Sequence, residues 1–304
     1  MPTPYAYIRK QFVPLADAKV GVMTHAFNYG TGCFEGIRGN WNEAHEKIFL
    51  FRLRDHFTRL FKSSRILKIA VDGNEDDLSD IAVKLVGMCG YTEDIYLRVI
   101  AYKCSEVIGV RMHNLEDDLL MYVAPFGPYL DVEKGIRCMT SSWVRVDDMA
   151  IPARAKVTGL YVNSALAKTE AQENGFDEAI LLNRDGHVSE GSGENIFLVM
   201  NGALVTPPPS DNILVGITRD TVIRLARDEL GIETIERPID RSELYVADEC
   251  FMTGTAAHVT AVVDIDRRPI GNGQTGDVTH RLQKLYFEVI RGENAKYAAW
   301  CTPV

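Results

Sequence analysis

The residues with most chemistry in this 304-residue chain are an acid in a glycine-rich turn and a glycine that opens a helix. The turn reads Glu190-Gly191-Ser192-Gly193-Glu194-Asn195-Ile196-Phe197. Leu204-Val205-Thr206 follows, then Leu214-Val215-Gly216-Ile217-Thr218-Arg219. Glycine lets a backbone turn sharply and approach a ligand closely. A carboxylate at such a turn can hold a protonated ring nitrogen. The first N–H groups of a helix have no partner inside it, and the dipole adds about half a positive charge at that end. Ile217 and Thr218 are thus placed for a phosphate, with the Thr218 hydroxyl as a further donor. Each signal has an ordinary alternative: a hairpin bend with solvated Glu190 and Glu194, and a helix start capped by Thr218. Together, 26 residues apart and joined by a hairpin, they ask for a flat, phosphorylated ligand with a ring nitrogen.

Pyridoxal 5'-phosphate meets that description, and it needs a lysine that forms a Schiff base. Lys134, Lys156 and Lys168 lie upstream. Lys156 follows Ile151-Pro152-Ala153-Arg154-Ala155 and precedes Val157-Thr158-Gly159. Small or apolar neighbours desolvate an amine, lower its pKa and make it nucleophilic. Lys168 sits beside Thr169 and Glu170 on an expected helix, where a solvent-facing charge is the default.

The elements that must position these groups are legible in part. Lys47 to Phe51 is a short apolar run, and Arg54 to Lys68 carries Phe57, Leu60, Phe61, Ser64 and Leu67 at helical spacing. Asn74 is placed to cap a helix whose stripe is Leu78, Ile81, Ala82, Leu85 and Cys89, ending at Gly90. Ile95 to Ala101 alternates as a strand and Leu119 to Ala124 reads as a buried one. Pro125-Phe126-Gly127-Pro128-Tyr129 breaks the pattern and marks a domain junction. Beyond it, Glu178 to Leu182 and Val188 flank a turn, and Asn195 to Val199 and Ala203 to Val205 flank Asn201-Gly202, a strong hairpin signal. Pro207-Pro208-Pro209 forces an extended segment. Thr218 to Leu230, closed by Gly231, and Asp277 to Ile290 read as amphipathic helices. The whole reads as α+β.

Bulk properties bound the function. Residues with hydrophobic side chains make up 46%, and the net charge is −9 from 33 basic and 42 acidic residues, which argues against a general attraction to nucleic acid or anionic lipid. No apolar run is long enough for a transmembrane helix. Met1-Pro2-Thr3-Pro4-Tyr5 has neither a basic start nor an apolar run, so no signal peptide and a cytoplasmic location are expected. Cys33, Cys89, Cys104, Cys138, Cys250 and Cys301 form no Cys-x-x-Cys pair and read as free thiols. The seven histidines show no ligand spacing, so no metal site is expected.

The ordered motifs resemble a known family. Glu190-x-Ser192-x-x-Asn195-Ile196-Phe197, Leu204-x-Thr206 and Leu214-x-Gly216-Ile217-x-Arg219 are similar to the signature of the fold type IV pyridoxal phosphate enzymes, the class IV aminotransferases. Tyr29-Gly30-Thr31-Gly32-Cys33-Phe34-Glu35-Gly36-Ile37-Arg38 resembles the N-terminal motif of the branched-chain amino acid aminotransferases. Tyr96-Leu97-Arg98, Ser141-Ser142-Trp143, the Ile151 to Lys156 segment and Gly254-Thr255-Ala256-Ala257 match the same family. The resemblance implies a two-domain α+β architecture. A smaller α/β domain would span 1–122, a loop 123–134, and a larger β-rich, cofactor-binding domain with helices 135–304, with the site between them. It implies that Lys156 carries the cofactor as a Schiff base and moves the substrate's α-proton. Glu190 would hold the pyridine nitrogen, Tyr161 the phenolate oxygen, and Arg59, Ile217, Thr218 and Thr255 the phosphate, with Leu214 on the ring face. From spacing alone Arg59, off the apolar stripe of its helix, reads as a solvated surface residue. Thr255 and Ala256 would bind the α-carboxylate by their N–H groups. Tyr96 and Arg98, two apart on a strand, share a face. Tyr96 could reach the α-carboxylate and Arg98 the second carboxylate of glutamate. Tyr29, Phe34, Val110, Tyr129 and Tyr161 would wall the pocket for leucine, isoleucine and valine, although aromatics of this kind also serve as core.

The implied activity is transfer of an amino group between L-branched-chain amino acids and 2-oxoglutarate, in a homodimer or an assembly of dimers. The loop Cys104 to Asn114 departs from the family pattern and carries Arg111 beside Val110, and Phe126 stands where many relatives have tryptophan. Both leave a same-fold transaminase of (R)-amines or D-amino acids as the alternative, with an aminodeoxychorismate-type lyase as a third reading. A non-catalytic scaffold would have no use for Lys156, Tyr161 and Glu190 together.

Overall fold

The computed structural model describes residues 4–127, 130 and 134–304. The chain forms two units. The first takes Met1–Gly127, Ala155–Leu160 and Glu288–Val304, and the second Pro128–Arg154 and Tyr161–Phe287. This differs from a single cut at 123–134, because two later stretches complete the sheet of the first unit.

In chain order the first unit contributes strands β1 (Tyr5–Ile8) and β2 (Gln11–Pro14), helix α1 (His25–Tyr29), β3 (Gly32–Asn42), β4 (Lys47–Phe51), helices α2 (Leu53–Ile66) and α3 (Glu75–Cys89), β5 (Ile95–Lys103) and β6 (Asp117–Pro125). The rest of the chain forms β7 (Ile136–Thr140), α4 (Tyr161–Glu173), β8 (Glu178–Leu182), β9 (Val188–Gly191), β10 (Asn195–Met200), β11 (Ala203–Thr206), α5 (Ile217–Leu230), β12 (Thr234–Glu236), β13 (Glu249–Gly254), β14 (His258–Ile265), β15 (Arg268–Pro269), α6 (Asp277–Ile290) and β16 (Cys301–Pro303).

The first unit is built on a seven-stranded sheet in the order β16-β4-β3-β5-β6-β1-β2. All its pairings are antiparallel. Alternation sends Ile37, Leu97, Val99, Met121 and Val123 into a core completed by Phe57 and Leu60 of α2 and Leu78, Ala82 and Leu85 of α3. The α3 stripe is the one its spacing predicts. Asn74 caps it by accepting from the Asp76 and Asp77 N–H groups, Asp77 returns the bond, and Gly90 ends it at φ 65°.

The second unit carries a nine-stranded sheet in the order β12-β11-β10-β13-β14-β7-β8-β9, with β15 beside β14. Asn201 and Gly202, at φ 51° and 80°, make the expected two-residue hairpin between β10 and β11. Ile180, Ile196, Leu198, Val205, Met252 and Val262 fill its core, while Ala167 and Ala171 of α4 pack near Ala179 and Leu181 of β8. The architecture is α+β with two units. All six cysteines are free and five are buried. Among the described residues no helix is long and apolar enough to cross a membrane.

Candidate functional site

The predicted site residues fall into two groups, one in each unit. In the first unit, β4 pairs only with the Gly39 to Asn42 half of β3. The other half of that strand edge takes the 155–158 segment. Phe34 N donates to the Lys156 carbonyl at 3.0 Å and Thr158 N to the Gly32 carbonyl at 2.8 Å. Lys156 N donates to Ser63 Oγ of α2 at 3.2 Å. Its backbone is therefore held on both sides, and its Nζ lies 5.0 Å from the centre of the Phe34 ring. Ala155 and Val157 are buried beside it, so the apolar neighbourhood expected from sequence is present.

On the Phe34 face of the sheet, Tyr96 and Arg98 project from β5 as their two-residue spacing predicts. The Arg98 guanidinium stacks 4.4 Å from the Phe34 centroid and 5.1 Å from that of Tyr96. Its Nε is buried and makes no hydrogen bond among the described residues. Phe126 packs 5.1 Å from Tyr96, with Arg38 over its ring. Gly36 makes room: a Cβ there would overlap the Tyr96 hydroxyl.

Glu35 points the opposite way and is fully buried. Its Oε1 accepts from Arg59 Nε and its Oε2 from Arg59 Nη2, both at 2.7 Å, and His56 Nδ1 also lies 2.7 Å from Oε2. Arg59, whose spacing reads as a surface residue, is 13% exposed. The carboxylate recruits it inward. Burial opposes the charged form of Glu35, but the charge and hydrogen bonds of Arg59, with the His56 contact, outweigh it and hold the carboxyl down at about 2. Burial pushes His56 down, with Arg59 and Lys156 adding to the effect against Glu35. Neither Glu35 nor His56 is assigned a role by the sequence; the available signal is an acid inside the otherwise apolar Cys33 to Ile37 run.

Tyr29 is tied to the 104–114 loop, its hydroxyl accepting from Gly109 N at 3.0 Å. Val110 in that loop is 81% exposed. Arg111 is exposed as well. Tyr129 lies outside the described residues.

In the second unit Glu190 ends up buried, as does Glu194, against the reading of a solvated bend. Glu190 Oε1 pairs with Arg145 Nη2 at 2.5 Å, and Oε2 accepts from Asn195 Nδ2 and Leu214 N, each at 3.0 Å. Asn195 Nδ2 also donates to the Leu214 carbonyl at 2.9 Å, so one amide joins the turn to the segment before α5. Arg145, which no motif pointed to, is fixed by Nε donating to the Asn212 carbonyl at 3.1 Å. Gly216, not Thr218, is the N-cap of α5. Ile217 and Thr218 occupy its first turn, and the first helical bond runs from Asp220 N to the Gly216 carbonyl. Thr255 and Ala256 lie in the turn between β13 and β14. Tyr161 opens α4.

Of the competing lysines, Lys134 is exposed. Lys168 is not the solvent-facing charge its helix position suggests. It is 16% exposed, and its Nζ pairs with the buried Glu178 at 2.5 Å and donates to the Asp177 carbonyl at 2.7 Å.

Comparison with known proteins follows the same lines. A family model described as amino-transferase class IV matches residues 32–265. A probable branched-chain-amino-acid aminotransferase of Aquifex aeolicus is 48% identical over 300 residues, 99% of this chain and 96% of that protein. A branched-chain aminotransferase structure from Thermoproteus uzoniensis with norvaline is 44% identical, covers 99% of each chain and has a TM-score of 0.95. A branched-chain amino acid aminotransferase from Thermobaculum terrenum in its PLP form is 36% identical, covers 100% of this chain and 99% of its own, and also has a TM-score of 0.95.

Proposed function

The chain belongs to the class IV aminotransferase family, and from that premise we propose that it is a pyridoxal phosphate-dependent transaminase of branched-chain amino acids. The amino group would pass between L-leucine, L-isoleucine or L-valine and 2-oxoglutarate. The observation that carries the reading is the buried Glu190, fixed by three donors from Arg145, Asn195 and Leu214 in the unit that also presents the start of α5.

The donor set fits the cofactor. A carboxylate that cannot rotate suits a protonated pyridine nitrogen, and a helix start without a side-chain cap suits a phosphate. When bound, pyridoxal phosphate supplies a carbonyl that takes up the amino group and a ring that accepts the electrons of the broken Cα–H bond. Lys156 Nζ would move the proton at the substrate's α-carbon, from a backbone held by Phe34 and Ser63. Glu190 would hold the ring nitrogen and Tyr161 the phenolate oxygen. Arg59, Thr255 and the Ile217 and Thr218 N–H groups would hold the phosphate, with Leu214 against the ring. Tyr96 and the Thr255 and Ala256 N–H groups would take the α-carboxylate.

Arg98 supports dual specificity. Sandwiched by Phe34 and Tyr96, the guanidinium lies on an apolar surface suited to a branched side chain and still offers charge to the second carboxylate of glutamate. Tyr29 of α1 and Val110 of the 104–114 loop would complete the pocket; a homodimer or an assembly of dimers is the proposed working unit, and we place the enzyme in the cytoplasm. Lys156→Ala is expected to abolish both the visible absorbance of the cofactor-loaded protein and all transamination. Normal turnover by that variant would overturn the assignment. A panel of L-leucine, L-glutamate, D-alanine and (R)-1-phenylethylamine, each added alone, separates the proposed specificity from the same-fold alternative.

A further inference from the structure

The Glu35 and His56 pair has no part in the scheme above, yet it is among the most buried polar pairs of the first unit. Arg59 meets Glu35 through a two-point contact, Nε on one oxygen and Nη2 on the other, both at 2.7 Å. Two parallel bonds fix the plane of a guanidinium, where one would leave it free to swing. His56 lies three residues before Arg59 on α2, and its Nδ1 is 2.7 Å from the same Oε2 that Arg59 Nη2 engages. That contact keeps the carboxylate from rotating. Glu35 itself is rooted in β3 between Phe34 and Gly36, which pair with Ile100 and Arg98 of β5. The chain of support therefore runs from a central strand to a carboxylate to a guanidinium, with a buried imidazole as the brace.

Charge alone does not account for this arrangement. If the only task of Arg59 were to attract an anion, a buried carboxylate on the same guanidinium would be counterproductive, since it offsets the positive charge. A fixed orientation is what the carboxylate adds. Two of the five guanidinium donors are used on Glu35, and the other edge is set in direction by that contact.

We propose that Glu35 and His56 are positioning residues that orient Arg59 toward the phosphate of a phosphorylated ligand, so that the site selects for the phosphate group itself. The proposal rests on the reading that Arg59 binds the cofactor phosphate.

The test compares the full-length apo protein with Glu35→Gln, His56→Gln and Arg59→Lys. Dissociation constants are measured by absorbance titration for pyridoxal phosphate and for unphosphorylated pyridoxal. Losing one charged hydrogen bond of the fork is expected to weaken pyridoxal phosphate about tenfold in Glu35→Gln while pyridoxal is unchanged. His56→Gln is expected to shift the ratio in the same direction by a smaller factor, and it carries the test if Glu35→Gln does not fold. A general loss of structure would weaken both ligands equally and leave their ratio where it was. An unchanged ratio, or tighter phosphate binding once the negative charge is removed, overturns the proposal if Arg59→Lys does lower the ratio. If Arg59→Lys leaves the ratio unchanged as well, the assignment of Arg59 to the phosphate fails and takes the proposal with it.

Discussion

Gly216→Ala should damage the second unit through one side chain. Gly216 has φ −71° and ψ 140°, a conformation open to any residue, so the backbone itself does not object to alanine. The added Cβ, however, would overlap Asn195 Oδ1. The Asn195 amide must move, and its Nδ2 moves with it. That breaks the 3.0 Å bond to Glu190 Oε2 and the 2.9 Å bond to the Leu214 carbonyl. A bond to a charged partner is worth about 1.5–3 kcal/mol and a neutral one about 0.5–1.5, so the expected cost is about 2–4.5 kcal/mol. The assay is urea unfolding, read as a fall in midpoint at unchanged slope. Gly193→Ala, in the turn that leads into Asn195, is the control. Nothing lies within 4 Å of a Cβ there, so it should be close to neutral. The decisive measurement is the double-mutant cycle with Asn195→Ala. Once that amide is gone, Gly216→Ala has little left to displace, and a coupling of about 2 kcal/mol is expected. Equal cost of Gly216→Ala in both backgrounds would refute the reasoning.

Gly36→Ala places a methyl where the Tyr96 hydroxyl sits. If Tyr96 binds the α-carboxylate, KM for the amino acid should rise about tenfold or more, with cofactor affinity intact; an unchanged KM would remove Tyr96 from the substrate site. Burial, with the Glu178 carboxylate nearby, pushes Glu194 up to about 8 against the opposing pull of the Gly193 N–H and Lys168. A raised carboxyl binds its proton more tightly when folded, so its contribution is fully present below the ordinary value of 4.5 and is lost as pH rises through about 8. Glu194→Gln, which stays neutral, should therefore gain stability relative to the parent as pH climbs through that window, the gap levelling off above it; a pH-independent gap in thermal midpoints would contradict the assignment.

The motifs of the site were readable because each is a local device. Glycine-rich turns, a helix opened by glycine and a lysine among small residues are all visible within about ten residues of sequence. What escaped was every partner that sequence separation hides. Arg145 reaches Glu190, and Glu35 draws Arg59 inward, because a buried carboxylate must be matched by donors wherever the fold brings them. Lys168 turns inward for the same reason: a mid-helix lysine faces water unless a buried acid such as Glu178 lies across from it.

By itself the sequence determined the local geometry: the α3 boundaries from Asn74 and Gly90, the hairpin at Asn201-Gly202, the shared face of Tyr96 and Arg98. Caps, turns and strand alternation act between residues a few positions apart, so their outcome is written in adjacent letters. Only the tertiary structure decided that residues 155–158 and 301–303 would join the sheet of the first unit, since strand edges left open by β4 and β3 can be filled by any segment that arrives in register. Lys156 owes its fixed place beside Phe34 to that long-range pairing.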